Sequence, residues 1–489
     1  MKKIENKIML ITYPDSLGKD IPALNRCLNK YFKDLFGGIH ILPFYPSSGD
    51  RGFAVIDYDN VCSDFGCWKD IDDLAEQYYL LADFMINHVS VRSREFRDYM
   101  EKGEQSAYRG MFIHWDEFWP AGRPTTDDIE ALYRRRAEAP CRTFVRKDGR
   151  KVMLWNTFFE EQVDVDPFSE STKAYYQRNL EHLASHVPFI RFDAFAYTSK
   201  RPGSNCFFVQ PEIWDILKIG TAPLEKTGTE VLLEIHASCK IQLEIAQKGY
   251  WVYDFALPML ILHAVFSGNA EHLAHWLKIC PRKQFTTLDT HDGIGVVDVA
   301  GLLREDEIEF VRKKVEKFTA DARPFIRVPG GMVKSKGKKL RQYQIPSTYY
   351  SALNCDDNAY LLARAVQFFT PGIPQVYYVG LLAGKNDIEA LKRGEEGRSI
   401  NRHNYTEQEI EENLSRPVVR KLFELMRFRN EYPAFEGEVF LETWEDKSKL
   451  TVTWKKDNWM AALHTDFSDR SFEITYRDQK TGTMRYLVL

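Results

Sequence analysis

Eight short, almost wholly apolar runs recur along the chain, each ending in polar residues: Met9 to Tyr13, Ile39 to Phe44, Leu80 to Ile86, Phe189 to Phe192, Val231 to Ile235, Trp251 to Phe255, Phe285 to Leu288 and Ile373 to Tyr378. A strand of a parallel sheet is buried on both faces, so it reads as a continuous apolar run instead of an alternating one. Between most of the runs lie amphipathic stretches suited to crossover helices, Ser171 to Ser185 and Asn269 to Lys278 among them. Strand–helix–strand units of one hand, repeated eight times, close on themselves. The expected architecture is an α/β fold, a (β/α)8 TIM barrel.

Two intervals are too long for one helix: about a hundred residues between the third and fourth runs, and about eighty between the seventh and eighth. Each is expected to hold an inserted subdomain or lids above the catalytic face. The pattern changes after Tyr432 to alternating segments, Lys449 to Lys455 and Trp459 to His464, which read as an antiparallel β domain. The expected division is a barrel built from 1–87, 171–294 and 360–432, an inserted subdomain at 88–170, a second insertion or lid at 295–359, and a C-terminal β domain at 433–489. A chain of 489 residues is long enough for a large barrel with such satellites.

The 66 Lys and Arg balance 70 Asp and Glu to a formal net charge of -4, so no chain-wide positive field exists to hold nucleic acid. The basic run Lys334, Lys336, Lys338, Lys339 and Arg341 reads by default as a solvated loop. Eight cysteines are scattered without a CxxC pair, which fits a reducing compartment. Near the N-terminus Pro14 and Asp15 interrupt the apolar run before a signal core or membrane span could form, so a cytoplasmic location without a membrane partner is expected.

Barrel enzymes place reactive groups at the C-terminal ends of strands. Here those ends carry Asp83, Asn87 and His88 in DFMINH, and Arg191, Asp193 and Tyr197 in RFDAFAY. They also carry Glu234 and His236 in LLEIH, and His291 and Asp292 in LDTHDG. Carboxylates crowded into one barrel mouth repel each other and lose hydration, which makes a purely structural role for Asp193, Glu234 and Asp292 together hard to sustain.

These four segments resemble the four signature regions of the α-amylase family of glycoside hydrolases and transglycosidases, in order and on the corresponding strands. Longer stretches, ITYPDSLG, GIHILPFYPSSGDRGFA, VYDFALP, LDTHDGIGVVD, STYYSALNCDDNAY, QFFTPGIPQVYYVGLLAGKND and GRSINRH, resemble sucrose phosphorylases over nearly the whole chain. The resemblance implies a barrel with two inserted subdomains and a C-terminal antiparallel β domain. It implies retaining phosphorolysis of sucrose to α-D-glucose 1-phosphate and fructose through a covalent glucosyl-enzyme. Asp193 is then the nucleophile, Glu234 the general acid and base, and Asp292 the carboxylate that steadies the charged transition state. Retention requires an ionised carboxylate beneath the anomeric carbon and a protonated one beside the leaving oxygen. Arg191, two residues before Asp193 on the same strand face, is expected to hold that carboxylate ionised.

Carried over by motif, the glucose-binding set is Asp50, Phe53, His88, Tyr197, His291 and Arg398, joined by Arg191 and His236. Phe158 and Gln162 match positions near the acceptor side. Arg136 in YRRRAEAP matches the position whose arginine binds phosphate, and LRQYQIPSTYY supplies Arg341, Tyr343 and Gln344 from the other lid. Arg341 stands where chains of this family usually carry an acidic residue, and Pro346 where they carry Asn. Relatives acting on sucrose 6'-phosphate tend to carry His at the place of Tyr343, so sucrose is the first expectation and its 6'-phosphate the second. A hydrolase or transglucosidase, and a non-catalytic binding protein of the same fold, are the remaining classes. Small-molecule substrates, no metal, no organic cofactor and a homodimer complete the expectations.

Overall fold

The computed structural model describes residues 2–322, 324, 332–333 and 341–489, with the side chains of 332–333 and 341–342 left aside. Eight parallel strands form a closed barrel: β1 (Met9–Thr12), β2 (Gly38–Ile41), β3 (Tyr79–Met85), β4 (Phe189–Asp193), β5 (Glu230–Leu233), β6 (Trp251–Asp254), β7 (Gln284–Thr286) and β8 (Ile373–Tyr377). Leu10 of β1 lies opposite both Ile39 of β2 and Val376 of β8, which closes the ring between the first strand and the last. Asp83 of β3 is level with Arg191 of β4, so the two side chains project at the same height.

Pairing stops before several of the apolar runs do. β2 ends at Ile41 although the run continues to Phe44, and β7 ends at Thr286 although the run reaches Leu288. Leu42, Phe44 and Leu288 are all buried; they pack in the loops that leave the barrel, and Pro43 between them has no N–H to give to a ladder. Burial, which the apolar pattern reports, outlasts hydrogen bonding at these ends.

Met9, Leu81, Phe189, Leu232, Tyr253, Phe285 and Ile373, from nearly every barrel strand, form a separate core cluster with Tyr79. Gly38 of β2 adds no side chain to it, because a Cβ there would sit 2.3 Å from the Tyr79 ring. Helices Glu170–His186 and Glu271–Ile279 occupy two of the amphipathic stretches. At the end of β6 the buried Asp254 carboxylate accepts from the Leu257 N–H at 3.0 Å and from the Trp276 indole at 2.9 Å. Burial pushes this carboxyl up to about 7.

Between β3 and β4 lie two small antiparallel pairs, His88–Ser90 with Gln162–Asp164 and Cys141–Val145 with Lys151–Trp155. Between β7 and β8, helix Glu305–Phe318 is followed by Met332–Val333 paired with Arg341–Gln342, and Ile294–Gly295 pairs with Gln344–Ile345. That last pair brings the second insertion back beside the Asp292 loop. Strands β9 (Glu438–Thr443), β10 (Lys449–Lys456), β11 (Trp459–Asp466), β12 (Ser471–Arg477) and β13 (Met484–Tyr486) form an antiparallel meander in sequence order. Trp454 of β10 anchors it to the barrel by an indole hydrogen bond to the Phe369 carbonyl, 2.8 Å. No helix among the described residues is long and apolar enough to cross a membrane.

Candidate active site

Asp193 is the last residue of β4, Glu234 follows β5 directly, and Asp292 sits in the loop after β7. All three line one cavity of about 1020 Å³. The strand-to-turn break after Asp193 puts Ala194 in the left-handed region, φ 55°, and its N–H donates to Glu234 Oε2 at 2.9 Å. One oxygen of Glu234, one ring nitrogen of His236 and one oxygen of Asp292 lie within 4.8 Å of one another. The Asp292 turn depends on Gly293, with φ 97°, where a Cβ would meet the Ile345 carbonyl oxygen at 2.4 Å.

Arg191 Nη1 lies 2.8 Å from Asp193 Oδ1 and also contacts Asp83, whose other oxygen pairs with His40 at 2.7 Å. Burial pushes the Asp193 carboxyl well above its usual range; Arg191 pulls it down, while Glu234, Asp83 and Asp292 push it further up. Arg191 is thus the group that favours the ionised form of Asp193, as expected, and it shares its Nη1 with Asp83, which has His40 as a second partner. Asp292 behaves oppositely. Burial would raise it, but Arg398, with Arg402, holds it well below the usual carboxylate range. Arg398 Nη1 is 3.1 Å from Asp292 Oδ1, with His291 and Arg402 at 3.6 and 3.8 Å.

Around this centre Phe53 stacks on the His291 ring at 5.0 Å and 12°. Burial lowers both His88 and His291, the latter to about 3, so both rings are neutral. His88 Nε2 contacts the Phe53 carbonyl at 3.1 Å. Gln162 donates from Nε2 to Asp50 Oδ2 at 3.0 Å, and burial pushes the Asp50 carboxyl up to about 6. Phe158 meets Tyr197 and His88 edge-on, at 5.0 and 5.5 Å. Among the described residues, Asp50 Oδ1, His88 Nδ1 and His291 Nδ1 are buried without a hydrogen-bond partner within the chain. All three residues line the cavity, where water or a hydrogen-bonding ligand satisfies such atoms.

Arg191, His236 and Gln344 do not line the cavity; they stand behind it. His236 Nδ1 contacts Asp298 Oδ2 at 3.0 Å, Nε2 faces Glu234 Oε1 at 3.4 Å and Gln344 Nε2 at 3.2 Å, and the ring stacks on Phe255. Burial lowers this imidazole, but Asp298, Glu234 and Asp292 outweigh it and raise the ring overall. Asp298 is a partner that the strand-end motifs do not contain.

Arg136 lines the cavity, but its terminal nitrogens are committed to the chain itself. Nη1 donates to the Phe158 carbonyl at 3.1 Å, and Nη2 to the Asn156 carbonyl and side-chain oxygen, both at 2.8 Å. Arg135 is held differently: its guanidinium lies 3.5 Å over the Tyr343 ring and beside the Tyr197 hydroxyl, while its Nη1 makes no hydrogen bond among the described residues. Both Arg136, the residue expected to meet the anion, and Arg135 line the cavity, and they differ in how far their nitrogens are already engaged. The Arg341 side chain and the lysines before it lie outside the described residues.

Asn87 belongs to a buried oxygen cluster that is already charged from within the chain. Lys200 Nζ sits 2.9 Å from Asp164 Oδ2, 3.1 Å from Asn87 Oδ1 and 2.6 Å from the Tyr197 carbonyl. Asp164 also accepts from the Thr157 N–H at 2.8 Å, so this ammonium organises the loop that presents Phe158.

No profile of a known protein family matches the chain. It is 47% identical over 480 residues to the sucrose phosphorylase of Streptococcus mutans serotype c, covering 97% of this chain and 98% of that one. It is 44% identical over 492 residues to the sucrose 6(F)-phosphate phosphorylase of Thermoanaerobacterium thermosaccharolyticum, covering 99% and 100%. The crystal structure of sucrose 6F-phosphate phosphorylase from Thermoanaerobacter thermosaccharolyticum superposes with a TM-score of 0.93 at 43% identity, over 100% of this chain and 99% of that one. Full-length identity of this order, on a closed parallel barrel with a C-terminal antiparallel sheet, places the chain in the sucrose phosphorylase family, the retaining disaccharide phosphorylases of the α-amylase family.

Proposed function

We propose that the chain transfers a glucosyl group from sucrose to inorganic phosphate with retention, by way of a covalent intermediate on Asp193. Asp193 attacks the anomeric carbon as the bond to the fructosyl oxygen breaks, and Glu234 gives that oxygen its proton. Phosphate then attacks the same carbon, the ester to Asp193 breaks, and Glu234 takes the proton from the incoming phosphate oxygen. The proton count returns to its starting value. Asp292, held ionised by Arg398, faces the positive charge that develops on the sugar ring. Asp50, His88, Tyr197, His291 and Arg398 are assigned to the glucose hydroxyls and Phe53 to an apolar face of the ring.

The observation that carries phosphorolysis over hydrolysis is Arg135. A buried guanidinium with an unpaired Nη1, stacked on Tyr343 at the cavity wall, suits a doubly charged acceptor and gives water no comparable advantage. Phe158 and Gln162 are assigned to the acceptor side. The insertions at 88–170 and 295–359 are proposed as the two lids of this cavity. The eight free thiols support a reducing, cytoplasmic setting.

Sucrose 6'-phosphate is the second reading, favoured by the basic run that ends at Arg341, whereas Tyr343 favours plain sucrose. The test is the rate of glucose 1-phosphate release from both sugars, with and without inorganic phosphate. Phosphate-dependent release that is faster from sucrose is the expected result. A strong preference for the phosphorylated sugar keeps the mechanism and changes the donor. Release of free glucose at the same rate without phosphate overturns the phosphorylase reading.

A further inference from the structure

Three helices outside the catalytic cavity bring two imidazoles and a carboxylate to one point. They are Leu257–Ser267 and Glu271–Ile279, which lie between β6 and β7, and Glu305–Phe318 of the second insertion. His272 Nε2 is 3.1 Å from Glu307 Oε1, His263 Nε2 is 3.9 Å from the same oxygen, and all three atoms lie within 4.8 Å of one another. We propose that His263, His272 and Glu307 form a site for a divalent transition metal of the zinc type, which fastens the helix of the second insertion to the barrel shell.

The spacing fits the chemistry. Zinc bonds of about 2.0–2.1 Å in a tetrahedron place neighbouring ligand atoms roughly 3.3 Å apart, between the two separations observed. Two imidazoles and one carboxylate are a donor set that zinc and its neighbours prefer over calcium or magnesium. Water supplies the fourth position.

His263 is the observation that asks for a ligand. The residue is 5% exposed, and Nε2, the nitrogen it turns toward the cluster, stands 3.9 Å from Glu307 Oε1, beyond hydrogen-bond range. Glu307 is pre-oriented: Oε2 accepts from the Arg304 N–H at 2.9 Å and caps its own helix, which turns Oε1 toward the imidazoles. Arg304 Nη1 rests on that oxygen at 2.8 Å, but its side chain is 66% exposed and can swing into solvent.

The test is Co(II) titration of the full-length, chelator-treated protein, read by visible absorption, followed by Zn(II) displacement and thermal melting. One Co(II) per chain with an intense tetrahedral spectrum is expected, together with a Tm that rises by several degrees in Zn(II). His272→Gln should weaken binding by more than about 100-fold while its metal-free Tm stays at the wild-type value. Glu307→Gln should weaken it in the same direction, and Glu234→Gln should leave it unchanged, which separates this site from the catalytic cluster. Absence of a Co(II) spectrum in the wild type overturns the proposal. So does unchanged binding in His272→Gln, or loss of binding in Glu234→Gln.

Discussion

The Arg135 guanidinium carbon lies 3.5 Å from the centroid of the Tyr343 ring. The cation comes from the first insertion and the ring from the second, so this wall of the cavity is assembled only where the two meet. Cation–π contact of a desolvated guanidinium contributes on the order of 2 kcal/mol, and here it holds Arg135 without using up its Nη1.

Arg135→Ala should lower phosphorolysis by about 10²–10³-fold, the loss typical of removing one charge-stabilising donor. Release of glucose to water should fall far less. Arg136→Ala should instead reduce both reactions alike and cost stability, because the Asn156 and Phe158 carbonyls lose their donor. Parallel glucose and glucose 1-phosphate assays decide this. Equal losses of both reactions in Arg135→Ala would sink the anion-binding assignment.

Glu234→Gln should slow cleavage of sucrose by about 10²–10⁴-fold and affect α-glucosyl fluoride much less, since fluoride leaves without a proton. Asp193→Asn should disable both donors and show no glucosyl adduct by intact mass spectrometry. An adduct in Asp193→Asn would move the nucleophile elsewhere.

Asp254 makes stability depend on pH with an unusual sign for a carboxylate. Its folded value of about 7 lies above the unfolded value of about 3.9. Between the two, the folded chain keeps a proton that the unfolded chain has lost, so stability falls as pH rises through this window and levels off above it. Asp254→Asn should reduce that slope in urea unfolding series run from pH 4.5 to 8, most clearly above about 6, where Asp50 has already titrated. An unaltered slope would mean that another group titrates there.

Lys200→Met should destabilise the fold by about 3–5 kcal/mol, because Asp164 is left as a buried charge without its partner. Urea unfolding measures this directly. A change below about 1 kcal/mol would show that the ammonium is dispensable to the Asn87–Asp164 cluster.

The barrel was legible because a strand buried on both faces has to be apolar throughout, and because the reactive groups fall where those runs end. What the runs do not carry is where pairing stops: Phe44 and Leu288 are as buried as the strands they follow. Asp193, Glu234 and Asp292 are recognisable as strand-end carboxylates. The Asp298 partner of His236 is not, because it becomes a neighbour only through the loop after β7. How Arg134, Arg135 and Arg136 divide their contacts was equally out of reach. Arg136 is claimed by carbonyls about twenty residues later in the chain, and a loop has no periodicity from which to read such a choice. Lys200 gave no local signal either; its meaning lies in Asn87 and Asp164, which are distant in sequence.

Ring closure between β1 and β8 also sets an order of events during synthesis. Met9 pairs with Gln375 and Ile11 with Tyr377, so the first strand to emerge from the ribosome must wait for the last. At about 5–20 residues per second that wait is roughly 20–70 s. Throughout it one edge of the nascent sheet lacks its neighbour, and both insertions have been translated before that neighbour arrives. An edge left open for so long is the part of the nascent barrel most exposed to pairing with another chain.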